Sequence, residues 1–188
     1  MKKILLIVLL SLIAILPLHA KKGSGLYFIT GMSSSVLSGD EEIISGVHVV
    51  NNHSKQGYFM SFSSLNLYNG KAVLVEPGVR IIQRGFGSGH HEVTSSYMDV
   101  FLNFRYNVMR NKRSAVDIHP YVGASLSTLL YSNDYCTEML DVIGKAGLDV
   151  IMYKMWSVGG EYNQGFIQAL DGRDVYNQGL LVRIGYLF

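Results

Sequence analysis

Apolar and polar residues alternate with a period of two in eight separate stretches of this 188-residue chain. In residues 97–108, for example, Met98 and Val100 fall on one face, and Asp99 and Arg105 fall on the other. Because successive side chains of a β-strand point to opposite sides, this pattern predicts strands with one apolar and one polar face. The predicted strands are residues 25–32, 58–68, 72–86, 97–108, 117–131, 142–153, 156–168 and 179–188.

The polar faces have a composition that suits the inside of a small barrel. They combine Gly and Ser with charged residues, whereas a soluble surface would carry more Lys and less Gly. Charges that can pair inside such a lumen are Glu76, Arg80, Asp99, Arg105, Glu161 and Arg183. The apolar faces then point outward, into outer-membrane lipid. We therefore predict an all-β fold, an eight-stranded antiparallel up-and-down transmembrane β-barrel in the outer membrane of a Gram-negative bacterium.

A soluble antiparallel barrel or sandwich is the alternative, because it also alternates but turns its apolar face inward. Aromatic residues near the strand ends favour the membrane barrel, since Tyr and Trp gather where a bilayer meets water. These residues are Tyr58, Tyr68, Tyr97, Tyr106, Tyr131, Tyr153, Trp156, Tyr176, Tyr186 and Phe188.

The connections alternate in length, which fits short periplasmic turns and longer extracellular loops. The predicted short turns are residues 69–71, 109–114 and 154–155, and the predicted long loops are residues 33–57, 87–96, 132–141 and 169–175. A change of phase at Ser63 and Ser64 predicts a β-bulge in the second strand.

Residues 1–20 have the pattern of a secretory signal peptide. Lys2 and Lys3 precede an apolar run, and Ala20 followed by Lys21 marks the predicted cleavage site. A membrane anchor is the alternative, but the run of about 13 residues is short of the roughly 20 that span a bilayer. We predict a mature barrel domain of residues 21–188. Without the two lysines, the formal charge falls from +2 to 0, and nothing indicates a nucleic-acid partner.

Residues with catalytic or metal-binding chemistry do not form a recognisable motif. Because adjacent side chains in an extended chain are expected to point apart, one metal ion could not easily bind both His90 and His91, and His119 is expected inside the barrel as a hydrogen-bonded structural residue. Ser125 and Ser127 lie on the polar face without a nucleophile-elbow motif, so they are explained by lumen packing. We predict no enzyme activity, no cofactor and no metal site. The single cysteine, Cys136, lacks an intrachain partner.

The last predicted strand resembles the C-terminal signal that the barrel-assembly machinery reads. Its outward face consists of Leu180, Val182, Ile184, Tyr186 and Phe188. The longer blocks GYFMSFSSLNLYNGKAVLVEPGVRIIQRGFG from Gly57, SSYMDVFLNFRYNV from Ser95, HPYVGASLSTLLYS from His119 and SVGGEYNQGF from Ser157 extend the likeness. In their order and spacing, they resemble the PorT-like outer-membrane β-barrel family of Bacteroidetes-type bacteria. That resemblance implies an eight-stranded barrel, with one founding member linked to protein secretion.

Three roles remain open for such a barrel. The first is a non-enzymatic protein that acts through its surface loops in adhesion, recognition or envelope structure. The second is a barrel subunit of a protein export or envelope-assembly machine, with envelope or secretion partners. The third is a small pore or ligand channel, which an eight-stranded barrel filled by its own side chains disfavours.

Overall fold

The computed structural model describes residues 25–39, 52–65, 67, 72–88, 91–109, 115–133, 139–170 and 173–188. Its strands are β1 (Gly25–Gly39), β2 (Asn52–Leu65), β3 (Val73–Ser88), β4 (His91–Tyr106), β5 (Val116–Ser132), β6 (Leu140–Met152), β7 (Trp156–Leu170) and β8 (Arg173–Leu187). Consecutive strands pair antiparallel, and β8 pairs back onto β1. The sheet is therefore a closed up-and-down barrel, which confirms the predicted fold. In the described part of the chain, no helix is long and apolar enough to cross a membrane.

Closure follows from the two-faced strands. On β8, Val182 and Ile184 are exposed on the outside, whereas Leu181 and Arg183 are buried inside. Pairing β1 with β8 leaves no sheet edge with unpaired backbone groups, which hydrocarbon would not tolerate.

The two ends of the barrel carry different connections. We call the end that joins β2 to β3, β4 to β5 and β6 to β7 the turn rim. The opposite end, which joins β1 to β2, β3 to β4, β5 to β6 and β7 to β8, is the loop rim. Near the turn rim, Leu65, Leu74, Ile151 and Leu187 are buried in one apolar cluster that fills the lumen there.

All four predicted long loops are shorter than expected, because the strands continue into them; in the third, β5 ends at Ser132 and β6 begins at Leu140. β1 reaches Gly39 and β2 begins at Asn52, while β3 and β4 stay paired up to Ser88 opposite His91. β7 and β8 likewise extend to Leu170 and Arg173. These strand ends were not predicted because they are rich in polar residues and lack the alternation of apolar residues. Backbone pairing does not require an apolar face, so it continues through them.

Pairing at the loop rim is reinforced by side chains. Lys55 Nζ lies 2.7 Å from Glu92 Oε2, and this hydrogen bond and charge lower the pKa of the exposed Glu92 carboxyl. Asn133 Oδ1 accepts a hydrogen bond from the Thr94 backbone N–H at 2.9 Å, which continues the β4–β5 pairing. These contacts hold together the strand segments that the sequence pattern did not predict.

The bulge in β2 lies at a different place from the predicted one. Ser63 pairs regularly with Gly78, and the irregularity in the β2–β3 register falls between Ser54 and Phe59. The prediction at Ser63 and Ser64 was wrong because serine occurs on both faces there. Ser63 points inward, where its hydroxyl donates to Glu76.

Close packing between the neighbouring strands β5 and β6 requires a glycine opposite Tyr121. A Cβ atom on Gly147 would lie 2.4 Å from the ring of Tyr121, so only glycine admits that ring. Several other predictions concern residues outside the described part of the chain: the signal peptide with its cleavage site at Ala20 and Lys21, Tyr68, Cys136, and the side chains of His90 and His91.

Candidate functional site

The lumen brings the six predicted charged residues together. Glu76, Arg80, Asp99, Arg105, Glu161 and Arg183 all point inward, and none is more than 3% exposed. Their positions follow from the register, since Arg80 on β3 lies directly opposite Asp99 on β4.

One half of this network centres on Arg80. Its Nη2 lies 2.9 Å from Asp99 Oδ2, and its Nη1 lies 2.6 Å from Glu161 Oε1 across the barrel. Glu161 also binds Arg183 Nη1 through its other oxygen, at 2.5 Å. A single guanidinium therefore ties β3 to both β4 and β7, and Glu161 continues the chain of contacts to β8.

The other half centres on Arg105. Its Nε lies 2.6 Å from Glu76 Oε2, and its Nη1 lies 2.5 Å from Asp149 Oδ2. Arg183 Nη2 lies 3.4 Å from the same Asp149 oxygen, so the two halves meet at Arg183. Charge-assisted contacts of this kind are strong only because each buried charge has a partner.

Tyr121 lies close to two cations of the network, Arg105 and Arg183. The Arg105 guanidinium lies 4.4 Å and the Arg183 guanidinium 4.9 Å from the centre of its ring. The Tyr121 hydroxyl donates to Glu161 Oε2 at 2.7 Å and also contacts Arg183 Nη1. The ring thus lies within cation–π distance of both guanidinium groups and favours both charges.

Arg84, Asp149 and Tyr121 belong to the network but were not among the six predicted residues, and Lys145 lies in the same lumen against the Phe101 ring. Arg84 Nη2 lies 2.8 Å from Asp99 Oδ2, and its Nη1 lies 3.2 Å from Ser127 Oγ. The sequence alternation already places all four side chains on the polar, inward face of their strands. The choice among inward polar residues could not be made without the distances across the lumen.

His119 lies inside the barrel as predicted, but its hydrogen bonding differs from the prediction. It is completely buried and points inward, but neither ring nitrogen has a hydrogen-bond partner within the described part of the chain. Ser125 Oγ is likewise without a partner there, whereas Ser127 Oγ donates to Asp99 Oδ1 at 2.5 Å. No group of three His, Cys, Asp or Glu side chains among the described residues could hold a metal ion.

The outer surface is an apolar belt. Its exposed members include Met32, Met60, Leu102, Val122 and Val182 from five different strands. An apolar surface of this extent is stable only against lipid or another apolar partner. With charges inside and hydrocarbon side chains outside, the barrel has the inverted polarity of a membrane-spanning protein.

Aromatic side chains border the belt, as predicted for most of them. At the turn rim, Tyr186 packs edge-on against both Trp156 and Phe188, with ring centroids 4.8 Å apart in each pair. Near the loop rim, Tyr58 and Tyr131 are exposed. Tyr97 is an exception, because it is 2% exposed and lies in the lumen under the Arg84 guanidinium. Its assignment to the outer border was wrong.

No protein-family model and no curated protein matches this sequence. Solved structures with the same fold include Neisserial surface protein A, with 11% identity and a TM-score of 0.54 over 89% of this chain and 100% of that one. Ail, the attachment invasion locus protein of Yersinia pestis, was solved in complex with the heparin analogue sucrose octasulfate. It is 16% identical, with a TM-score of 0.51 over 88% of this chain and 99% of that one. At these identities the likeness concerns the fold, which is that of eight-stranded outer-membrane β-barrels. This fold, together with the apolar belt, places the chain in the outer membrane of a Gram-negative bacterium.

Proposed function

We propose that the chain is a non-enzymatic outer-membrane protein that acts at its loop rim, in adhesion, recognition or envelope structure. The observation that carries this proposal is the crosslinked lumen. Arg80 and Arg105 each bind carboxylates on two different strands, and Arg183 joins the two groups. With its interior occupied in this way and its wall in lipid, the barrel meets other molecules at its rims.

The same network argues against a small pore. Ion passage would require Arg80, Arg105 and their carboxylates to separate, and unpaired buried charges are costly. The apolar side chains of Leu65, Leu74 and Leu187 also fill the lumen at the turn rim.

Two proteins of this fold have names that fit a surface role. Ail is described as an attachment invasion locus protein, and the neisserial protein as a surface protein. Because one fold serves many functions, these names support the proposal without deciding it.

A subunit of an export or envelope-assembly machine is the alternative. It rests on the sequence blocks that resemble the PorT-like family, and it requires stable envelope or secretion partners. Co-purification from native membranes in mild detergent separates it from the first proposal.

The proposal can be tested by changing only the connections at the loop rim. In one variant, residues 40–51 and 134–138 are replaced by Gly-Ser linkers of the same lengths. We expect cells that display the wild-type protein to attach to surfaces coated with matrix proteins or glycans, and cells that display the variant to lose this attachment. Both proteins should form the same heat-modifiable barrel. If no coated surface retains the wild-type cells, and one envelope protein co-purifies stoichiometrically with both chains, the alternative replaces the proposal. Single-channel conductance in planar bilayers would overturn it in favour of a pore.

Assembly is the second part of the proposal. We propose that residues 1–20 direct export and that the outward face of β8 is recognised by the barrel-assembly machinery. On this face Leu180, Val182 and Ile184 lead into the aromatic pair Tyr186 and Phe188. Deleting Phe188 should reduce the amount inserted in cells while leaving detergent-refolded protein nearly as stable. Normal insertion without Phe188 would contradict recognition.

A further inference from the structure

The connections at the two rims carry opposite charges. The turn-rim connections, residues 66–72, 107–115 and 153–155, contain no acidic residue. Their five basic residues are Lys71, Arg110, Lys112, Arg113 and Lys154. The loop-rim connections, residues 40–51, 89–90, 133–139 and 171–172, contain no Lys or Arg. Their six acidic residues are Asp40, Glu41, Glu42, Asp134, Glu138 and Asp171. The strand order therefore separates positive from negative connections along the barrel axis.

Exposed aromatic side chains lie next to the basic connections. β4 ends at Tyr106, which is exposed and directly precedes residues 107–115. Lys154 lies between Tyr153 and Trp156, both of which are exposed. Tyrosine and tryptophan in such positions mark the depth at which hydrocarbon meets the headgroups of a bilayer. The basic connections therefore begin at the level of the headgroups.

The basic connections are distributed around the barrel. They join β2 to β3, β4 to β5 and β6 to β7, and the closed strand order places them at three separate points of the circumference. Lipid headgroups surround a membrane barrel on all sides and so reach every one of these points. The distribution fits a ring of lipids around the rim.

The sign of the charge selects the class of lipid. A Lys or Arg at a membrane surface attracts anionic headgroups, and the attraction decays within a Debye length of about 8 Å at physiological salt. Phosphate oxygens also accept charge-assisted hydrogen bonds from both side chains. Asp117 lies near the turn rim, but it is 4% exposed and faces the lumen, so its carboxylate is not on the lipid side. The acidic connections at the loop rim repel the same headgroups.

We propose that the turn rim binds a ring of anionic phospholipids, with phosphatidylglycerol as the representative headgroup, in preference to zwitterionic phospholipids. The basic residues of the three connections supply the attraction, and the neighbouring aromatic side chains hold the rim at headgroup depth. The proposal concerns the opposite end of the barrel from the proposed surface role and does not depend on it.

Trp156 reports on lipids at this rim, because it is the single tryptophan of the chain and is exposed there. The full-length barrel is placed in vesicles of phosphatidylcholine mixed with phosphatidylglycerol, with bromine first on one lipid and then on the other. The two degrees of fluorescence quenching give the ratio of the binding constants of the two lipids. We expect phosphatidylglycerol to bind about two- to fivefold more tightly in dilute buffer. In 1 M NaCl, where the Debye length is about 3 Å, this preference should disappear.

Two variants separate the charge of the rim from the charge of the whole protein. The turn-rim variant combines Lys71→Gln, Arg110→Gln, Lys112→Gln, Arg113→Gln and Lys154→Gln. The matched control neutralises the other rim with Asp40→Asn, Glu41→Gln, Glu42→Gln, Asp134→Asn, Glu138→Gln and Asp171→Asn. Heat-modifiable migration on gels verifies that each has folded. We expect the turn-rim variant to lose the preference for phosphatidylglycerol and the control to keep it.

The wild-type protein tests the proposal by itself, since its lipid preference and the salt dependence of that preference require no variant. The proposal is overturned if the wild type binds both lipids equally, or if its preference survives in 1 M NaCl. It is also overturned if the folded turn-rim variant keeps the wild-type preference, or if the control changes that preference as much as the turn-rim variant does.

Discussion

Arg105 and Lys145 show how differently two buried cations can be accommodated in one lumen. Arg105 is fully buried and bridges Glu76 and Asp149. Lys145 is 5% exposed, and its ammonium lies 4.4 Å from the centre of the Phe101 ring. None of the ion pairs found among the described residues includes Lys145. The desolvation of Arg105 is thus offset by two directly paired carboxylates, whereas Lys145 contacts an aromatic face without such a pair among the described residues.

Replacing each cation by methionine should therefore change the stability differently. Arg105→Met leaves two buried carboxylates with fewer partners, so we expect the free energy of unfolding to fall by about 3–5 kcal/mol. Lys145→Met removes a costly charge and should be neutral or stabilising. Urea unfolding in lipid vesicles measures both. Lys55→Met at the loop rim is the control, since an ion pair with the exposed Glu92 contributes at most about 1 kcal/mol. Equal losses for Arg105→Met and Lys145→Met would contradict this assignment.

The turn between β6 and β7 stores backbone strain at two residues. Tyr153 and Lys154 have φ angles of 52° and 58°, in the left-handed region that favours glycine. The Met155 N–H donates to the Met152 carbonyl at 3.0 Å, which closes a turn of the type that favours Asn-Gly. Lys154→Gly should raise the free energy of unfolding by about 1 kcal/mol. Lys154→Ala removes the same charge but keeps the Cβ atom, so an equal gain in this control would assign the effect to charge instead of strain.

At the scale of a strand, the outward face of β8 shows where apolar residues that contact lipid give way to polar residues near water. Val182 lies in the middle of its apolar outward run, and Gln178 on the same face is where that run meets polar side chains. The Gln178 amide bonds to Gln164 Oε1 on β7 at 3.2 Å, as expected at a boundary with water. The apolar run thus indicates which part of β8 lies in the hydrocarbon layer of the membrane.

An arginine at each of these two positions tests that depth. Val182→Arg should lower the free energy of unfolding in vesicles by about 2–4 kcal/mol, because the charge lies near the bilayer midplane. Gln178→Arg, on the same face of the same strand, should cost at most about 1 kcal/mol. Similar costs at both positions would show that the membrane boundary lies elsewhere.

The number of strands and the phase of their faces could be predicted from the sequence, because both depend on a period that each strand repeats. Strand ends near Ser88 and His91 could not, since pairing above the membrane needs no apolar face. The alternation along each strand predicts which charged residues point inward, and it places Arg84 and Asp149 inside as well. Their partners depend on which side chains meet across the lumen. Tyr97 was placed outside because aromatic content alone does not distinguish an interfacial tyrosine from one under a guanidinium.

For the whole molecule, the closed sheet and the crosslinked interior are two aspects of one arrangement. The strands are joined around the wall by backbone pairing from β1 to β8, and across the lumen by contacts such as Arg80 with Glu161. Buried apolar residues near the turn rim complete this packed interior. The strands of the barrel are consequently held together both around the wall and across the interior.

The central claim is that apolar faces point to lipid and charged faces point inward, and the single tryptophan of the chain tests it directly. Trp156 is 51% exposed on the outward face near the turn rim. In vesicles, its fluorescence should be quenched by brominated lipids, more strongly when bromine is near the headgroup than at the chain ends. Aqueous acrylamide should quench it weakly. Strong quenching by acrylamide with none by any brominated lipid would place Trp156 away from the bilayer and contradict the orientation of every strand.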